Sequence, residues 1–410
     1  VTAQQSPPAL ARLIALSTED FGQKHWDRSP LLTRGADLPG GFTDLLSSAV
    51  IDSLVGERGL RQPFFRMVDN AAPVTGLTRS AVAGNRTITD LADPDAVARA
   101  YTEGATLVLQ SLNRTWPPVV SLCRDLAAEL GHPTQCNAYI TPAGDAQGFA
   151  YHHDTHDVLV LQVEGSKHWE VHEPVVVLPA RDQARSGAGL VPEGQRPLLD
   201  VVLEAGDTLY LPRGFVHAAR TTDEPSIHLT IGVIPTTWLD LLKDMVTQLG
   251  ADELALRRAL PVAGLEPPDM DAEANQLLAT ATDWLATLKA AQVGEVLRRR
   301  AAKTRPREPI GMIAQASAAG ALAPETAVRA RHGLESQIVV DGSRVSVLVA
   351  DKKISFPGVA EPMLRILLSG PVTSPAEIVA DDPDCDTGDA VVVVRRLVRE
   401  GVVVAARSCP

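Results

Sequence analysis

Two short stretches far apart in the chain constrain its fold more than anything else. One is His152-His153-Asp154 ahead of Val158–Gly165; the other, Gly206 to His217, spells G-x5-P-x-G-x2-H. In a strand, side chains at i and i+2 share a face, so His152 and Asp154 point one way and His153 the other. Alone that pair is weak, because roughly one His-x-Asp arises by chance in a chain this long. The second stretch is far rarer: its four fixed positions match at random on the order of once in a few hundred such chains. Its Pro212-Arg213-Gly214 turn fixes the approach to a strand that carries His217 inward. To set His217 beside His152 and Asp154, the chain must wind away and return a strand next to the first. A double-stranded β-helix does this.

The later stretch is the second signature of a cupin barrel, and the His-x-Asp before VLVLQVEG takes the place of the first. Two imidazoles and one carboxylate make the facial triad of non-haem Fe(II) oxygenases, whose other face stays open for cosubstrate and O2. The bland readings are a satisfied core histidine for His152 and a turn residue for Asp154; their conjunction with His217 outweighs them. His153 and His156 are rival ligands. His153 faces away and His156, followed by Asp157, lacks the His-x-Asp spacing, so both are read as non-ligands. A keto acid chelating such an iron needs a cation for its far carboxylate. Lys167, which opens the strand after Glu164-Gly165-Ser166, is the choice, because a lysine can enter a barrel as a point charge; a solvated lysine is the alternative.

At 410 residues the chain is long enough for two or three domains, and 45% hydrophobic with 21% charged residues is ordinary for a buried core. The four cysteines, Cys123, Cys136, Cys385 and Cys409, form no CxxC pair. That argues against a disulfide framework or thiolate zinc site and fits a reducing cytoplasm. No run approaches the roughly 20 apolar residues that span a membrane. The first residues lack the layout of a signal peptide, and a leading Val is read as a trimmed start. A net charge of −12 disfavours nucleic acid as a main partner and would attract a basic substrate.

Three parts are expected. Residues 1–235 carry short apolar runs broken by Gly, Pro and Asp, the pattern of antiparallel β-structure. The clearest are 158–165, 167–172, 207–212 and 227–234, with Glu164-Gly165-Ser166 read as a hairpin turn and Asp93-Pro94 as a helix start. Over 236–304 the period turns helical: Trp238, Leu241, Leu242, Met245 and Leu249, then Leu277, Leu278, Ala281, Leu285 and Leu288. These stripes would be either core or the seam of a dimer. Over 305–410, strands 337–340 and 345–349 flank an Asp341-Gly342 turn, Ser374 and Glu377 form a capping box, and a last helix near 389–400 stops at Gly401. Helices with a small hairpin look like a winged helix.

At these residues the chain resembles the ribosomal oxygenases, JmjC protein hydroxylases of the cupin-4 type. The likeness runs through FGQKHWDRSPLL (21–32), FRMVDN (65–70), NAYITP (137–142), QGFAYHHD, VLQVEGSKHW, LYLPRGFVHAA and HLTIGV. It implies an α+β chain: a JmjC barrel, a helical dimerisation region and a C-terminal winged helix. By motif position it gives iron to His152, Asp154 and His217 and the 2-oxoglutarate carboxylate to Lys167. Asn137, Tyr139 and Thr230 fall where the family lines the cosubstrate and substrate pocket. Gly232 departs from the Ser of eukaryotic members, and the loop AGDAQGFAY looks one residue longer. The family's winged helix does not read DNA, and the acidic cluster of 381–389 agrees with that.

The resemblance implies that Fe(II), 2-oxoglutarate and O2 hydroxylate a side chain, Arg or His favoured, of a ribosomal protein or other peptide, with release of succinate and CO2. Alternatives are a non-ribosomal peptide or natural product, with the polar loop 180–197 shaping access; N-demethylation by the same oxidant; or a non-catalytic cupin sensor with a winged-helix binding module.

Overall fold

In the computed structural model, residues 8–144, 149–186, 188–191, 194–260, 271–349, 352–380 and 385–406 are described. The first seven residues, 381–384 of the acidic cluster, Cys409 and parts of the loops 143–151 and 180–197 lie outside them. The chain forms two compact units, Val1–Pro235 and Thr236–Pro410.

In the first unit the strands are β1 (Leu31–Thr33), β2 (Phe65–Asp69), β3 (Ala72–Pro73), β4 (Thr78–Ala83), β5 (Arg86–Ala92), β6 (Thr106–Leu109), β7 (Thr134–Thr141) and β8 (His152–His153). They continue as β9 (Asp157–Glu164), β10 (Lys167–Pro174), β11 (Arg185–Ser186), β12 (Leu199–Leu203), β13 (Thr208–Leu211), β14 (Phe215–Thr221) and β15 (Ser226–Val233). One sheet has the order β1-β13-β9-β15-β7-β6-β2-β3 and a second β11-β8-β14-β10-β12, while β4 and β5 pair apart. From β9 in the first sheet the chain passes to the second for β10 to β12, back to the first for β13, to the second for β14 and to the first for β15, which is the winding the two motifs require.

Strand β9 shows why the barrel closes. Val158 and Val160 join Trp169, Val171, Leu209, Leu211 and Phe215 in one core, while Leu159, Leu161 and Val163 join a second. The second core also takes Phe21 of α1 (Thr18–Lys24), Ile51 and Leu54 of α2 (Ser48–Gly56), Val97 of α3 (Pro94–Thr102) and Leu122 and Leu126 of a helix at Pro117–Leu130. A strand covered on both faces reads as a continuous apolar run rather than an alternation. Full burial of each such side chain contributes roughly 1.5–3 kcal/mol. Asp93 caps α3, its carboxylate accepting from the N–H of Asp95 and Ala96, with Pro94 in the first turn.

Glu164-Gly165-Ser166 is not a hairpin turn. Strand β9 pairs with β13 and β15, and β10 with β12 and β14, so here the chain leaves one sheet for the other. Gly165, at φ 62°, lies against Pro225, whose carbonyl oxygen would sit 1.8 Å from an added Cβ. The close approach of a second loop is why glycine stands there, and no local signal announces that approach.

The second unit begins with helices at Trp238–Asp252, Asp271–Thr287 and Ala290–Thr304. Thr237 and Asp240 make a reciprocal capping box on the first, and Arg300 of the third bonds Asp240 at 3.3 Å and Asp244 at 2.6 Å. Of the expected stripes Leu241 and Leu249 are buried, whereas Trp238, Leu242, Leu277, Leu278 and Leu285 are exposed. The rest forms its own core from helices Met312–Gly320, Glu361–Leu368, Pro375–Ile378 and Thr387–Arg399, a short pair Val328–Ala330 with Val403–Ala405, and a three-stranded sheet of Ser336–Asp341, Arg344–Val349 and Lys352–Pro357. The hairpin turns at Gly342-Ser343, one residue later than expected, because Asp341 pairs with Arg344. Ser374 caps its helix by accepting from the Glu377 N–H at 3.3 Å.

Candidate metal and cosubstrate site

Strands β8 and β14 lie side by side, with His152 opposite His217. The two rings are 4.4 Å apart between centroids, and His217 Nε2 lies 3.7 Å from an Asp154 carboxylate oxygen. One ligand atom from each of His152, Asp154 and His217 falls within 4.8 Å of the others. Strand β8 ends at His153, so Asp154 is not held by strand pairing as the i, i+2 argument supposes. The Gly214 N–H instead donates to the Asp154 carbonyl at 3.0 Å. Gly214 has φ 93°, and a Cβ there would lie 2.3 Å from the Val176 carbonyl oxygen. The glycine of the second motif thereby holds the aspartate of the first. The intervening arginine is anchored too: Arg213 bonds Asp27 and buried Asp157, and burial pushes the Asp157 carboxyl up to about 6.

Both candidate imidazole ligands are preset. Nδ1 of His152 faces the Ala150 carbonyl at 2.9 Å and Nδ1 of His217 faces the Phe215 carbonyl at 3.1 Å. A carbonyl can only accept, so the ring proton sits on Nδ1 and Nε2 presents its lone pair. Burial, reinforced by His152, lowers the His217 pKa to about 4, which keeps it neutral at physiological pH. Two imidazoles and a carboxylate on one side fit a divalent metal with open positions. His153, fully buried, faces away from them and its ring nitrogens have no hydrogen-bond partner among the described residues.

The three side chains line one end of a cavity of about 320 Å3. Its wall carries Lys167 and Trp169 from β10, Gln135, Asn137 and Tyr139 from β7, and His228, Thr230 and Gly232 from β15; Arg66, Phe149 and His156 complete it. Asn137, Tyr139 and Thr230 are thus brought to the same space as the triad. Asn137 accepts from the Ser111 N–H at 3.0 Å, and Tyr139 stacks on His228 at 5.0 Å. Burial raises the Tyr139 pKa and, with Lys167 nearby, drives that of His228 well down.

Lys167 is buried, and among the described residues its one hydrogen-bond partner is the Thr141 hydroxyl at 3.0 Å. Burial lowers its pKa to about 7. An ammonium has three donors, so this lysine is short of both partners and counter-charge. A carboxylate reaching it from the metal would supply them, and the site fits a 2-oxo dicarboxylate on that ground.

Sequence reasoning missed Gln135, Trp169 and His228, although each stands two residues from a position it did place: Asn137, Lys167 and Thr230. The period of two carries that signal. Arg66 and Phe149 lie in the stretches FRMVDN and QGFAYHHD that carry the resemblance, but no spacing rule singles out either side chain.

A JmjC domain is recognised at residues 117–241. The chain is 34% identical over 250 residues to ribosomal oxygenase 1 of Gallus gallus, covering 60% of this chain and 40% of that protein. It is 31% identical over 252 residues to the bifunctional lysine-specific demethylase and histidyl-hydroxylase NO66 of Aedes aegypti, covering 60% and 38%. The matched region therefore spans well under half of those relatives. The fold is similar to that of the Escherichia coli ribosomal oxygenase YcfD, with a TM-score of 0.52, 18% identity and coverage of 95% and 98% of the two chains. YcfD also has a structure in complex with cobalt and 2-oxoglutarate. Residues 117–241 thus match the JmjC domain, and over about 60% of its length the chain is similar to ribosomal oxygenases.

Proposed function

We propose that this chain is an Fe(II)- and 2-oxoglutarate-dependent oxygenase that hydroxylates a side chain, Arg or His favoured, of a ribosomal protein or other peptide. The observation that carries the reading is the convergence of His152, Asp154 and His217 at one end of a cavity that also holds the buried, under-partnered Lys167. Relatives named as ribosomal oxygenase and histidyl-hydroxylase, and YcfD complexes with cobalt and either 2-oxoglutarate or succinic acid, support it.

His152, Asp154 and His217 would hold the metal, whose chemistry when loaded is oxidation of a substrate C–H coupled to decarboxylation of the keto acid. Lys167 would bind the far carboxylate as an ammonium, with Thr141 orienting it. Tyr139, its proton retained by burial, serves as a hydroxyl donor and not as a base. Trp169 and the stacked pair Tyr139–His228 keep water from the inner end, which protects the oxidation from side reactions. Asn137 and Thr230 would complete the pocket.

The exposed Trp238, Leu242, Leu277, Leu278 and Leu285 support a dimerisation role for 236–304, and the helix-and-hairpin composition of 305–410 a winged helix that positions substrate without reading DNA. The free, buried cysteines Cys123 and Cys136 suit a cytoplasmic setting. Among the described residues no helix is long and apolar enough to cross a membrane.

The test is a mass comparison of host ribosomal proteins after incubation with enzyme, Fe(II), 2-oxoglutarate and O2, beside His152→Ala. Gain of one oxygen on one residue, absent with the variant, is the expected result. A wild-type chain that neither oxidises protein nor releases succinate would overturn the reading.

A further inference from the structure

Gly232 leaves a gap in the wall of the cavity, and His156 fills it. A Cβ built on Gly232 would stand 2.5 Å from His156 Cδ2 and 2.6 Å from its Nε2, so the ring lies directly on the bare backbone of β15. His156 is half-buried and lines the same cavity as the triad. Its Nε2 faces Gln135 Nε2 at 3.5 Å. An amide NH2 can only donate, so in this contact the ring Nε2 accepts and Nδ1 carries the ring proton. That N–H has no hydrogen-bond partner among the described residues.

We propose that His156, seated on Gly232 and fixed by Gln135, is a specificity-determining residue that donates its Nδ1–H to the substrate side chain. The inference rests on the oxygenase reading above and narrows it. A donor in the wall requires an acceptor in the guest. Imidazole, carboxamide and hydroxyl side chains carry one, whereas guanidinium and ammonium carry none. Charge points the same way: among the described residues the wall's one carboxylate is Asp154, committed to the metal, and Lys167 is matched by the far carboxylate of the keto acid. A cationic side chain would find no carboxylate of the wall left to pair with, so the geometry selects an acceptor-bearing side chain over arginine or lysine. Sites built to hydrogen-bond a guest discriminate strongly against one that leaves the wall group unpaired.

The test uses the full chain with Fe(II), 2-oxoglutarate and host ribosomal proteins, reading oxygen gain residue by residue. A peptide around the main site is then compared with the same peptide carrying Arg at that position. The expected site is a residue with an acceptor, preferred in kcat/KM over Arg by tenfold or more. His156→Ala should cut that ratio at least fivefold, chiefly through KM, and His156→Gln should restore part of it. Gly232→Ala, which pushes the ring aside without removing it, should move the ratio in the same direction as His156→Ala. Metal stoichiometry, measured on each variant, checks that the site is still assembled. Oxidation confined to Arg or Lys, or a ratio unmoved in both His156→Ala and Gly232→Ala, would overturn the proposal. A wild-type chain that releases no succinate removes the oxygenase reading itself, and the proposal falls with it, before any variant is compared.

Discussion

Strand β9 and the helix Asp271–Thr287 are both rich in apolar residues, yet they end in opposite environments. Every residue of β9 from Asp157 to Val163 is buried, because the barrel lies on one side and the helix layer on the other. The helix has no buried residue, and Leu277, Leu278 and Leu285 are 50%, 63% and 42% exposed. Periodicity selects the element in both places, but only a closed barrel brings its own cover. An amphipathic helix needs an outside partner, and its stripe says nothing about whether that partner lies in the same chain.

This contrast divides what substitutions should do. The largest effect is expected from His152→Ala or Asp154→Ala, which should abolish coupled turnover and metal retention, measured by succinate release and metal analysis; intact turnover in both would break the assignment. Leu161→Ala, inside the double cover of β9, should cost about 2–5 kcal/mol, read as a lowered urea midpoint. Lys167→Met should raise the 2-oxoglutarate KM by roughly 30-fold or more, the scale of losing one partner of a buried charge pair.

The same lysine predicts a pH dependence. Its folded pKa of about 7 lies below the ordinary 10.5. Between those values the unfolded chain holds the proton and the folded chain does not, so this group makes the apo-protein more stable as pH rises from 7 towards 10.5. A bound carboxylate favours the ammonium, so affinity for N-oxalylglycine should fall as pH rises above 7; calorimetry across pH 6–9 with flat affinity would refute the anchor role. The smallest effect on stability belongs to the helix. Leu277→Asp with Leu285→Asp should leave the thermal midpoint within a few degrees but alter the mass measured by light scattering. A large loss of stability would mean the stripe is already covered within the chain.

The candidate site was legible where chemistry and turn geometry coincide. Pro212, Gly214 and His217 stand at fixed spacing because the turn sets Gly214 at φ 93° and carries the strand inward, and both demands are local. The strands at 158–164 and 226–233 were legible from apolar runs bounded by turn residues. What escaped depends on distant chain segments. The crossing at Gly165 is set by Pro225, the tether of Asp154 by Gly214, and the seat of His156 by Gly232. In each case a residue is explained by a neighbour some sixty or more positions away, which no window of local pattern contains.

The carbonyls of Ala150 and Phe215, each two residues before its histidine, have a consequence for how the centre is assembled. They belong to the histidines' own strands and approaches, so ring orientation and tautomer are inherited from backbone that the barrel holds in place whether or not an ion is present. An arriving metal then has little left to organise. It binds a cradle whose ordering was completed when the sheets closed, and its affinity can go into coordination instead of being spent on arranging ligands.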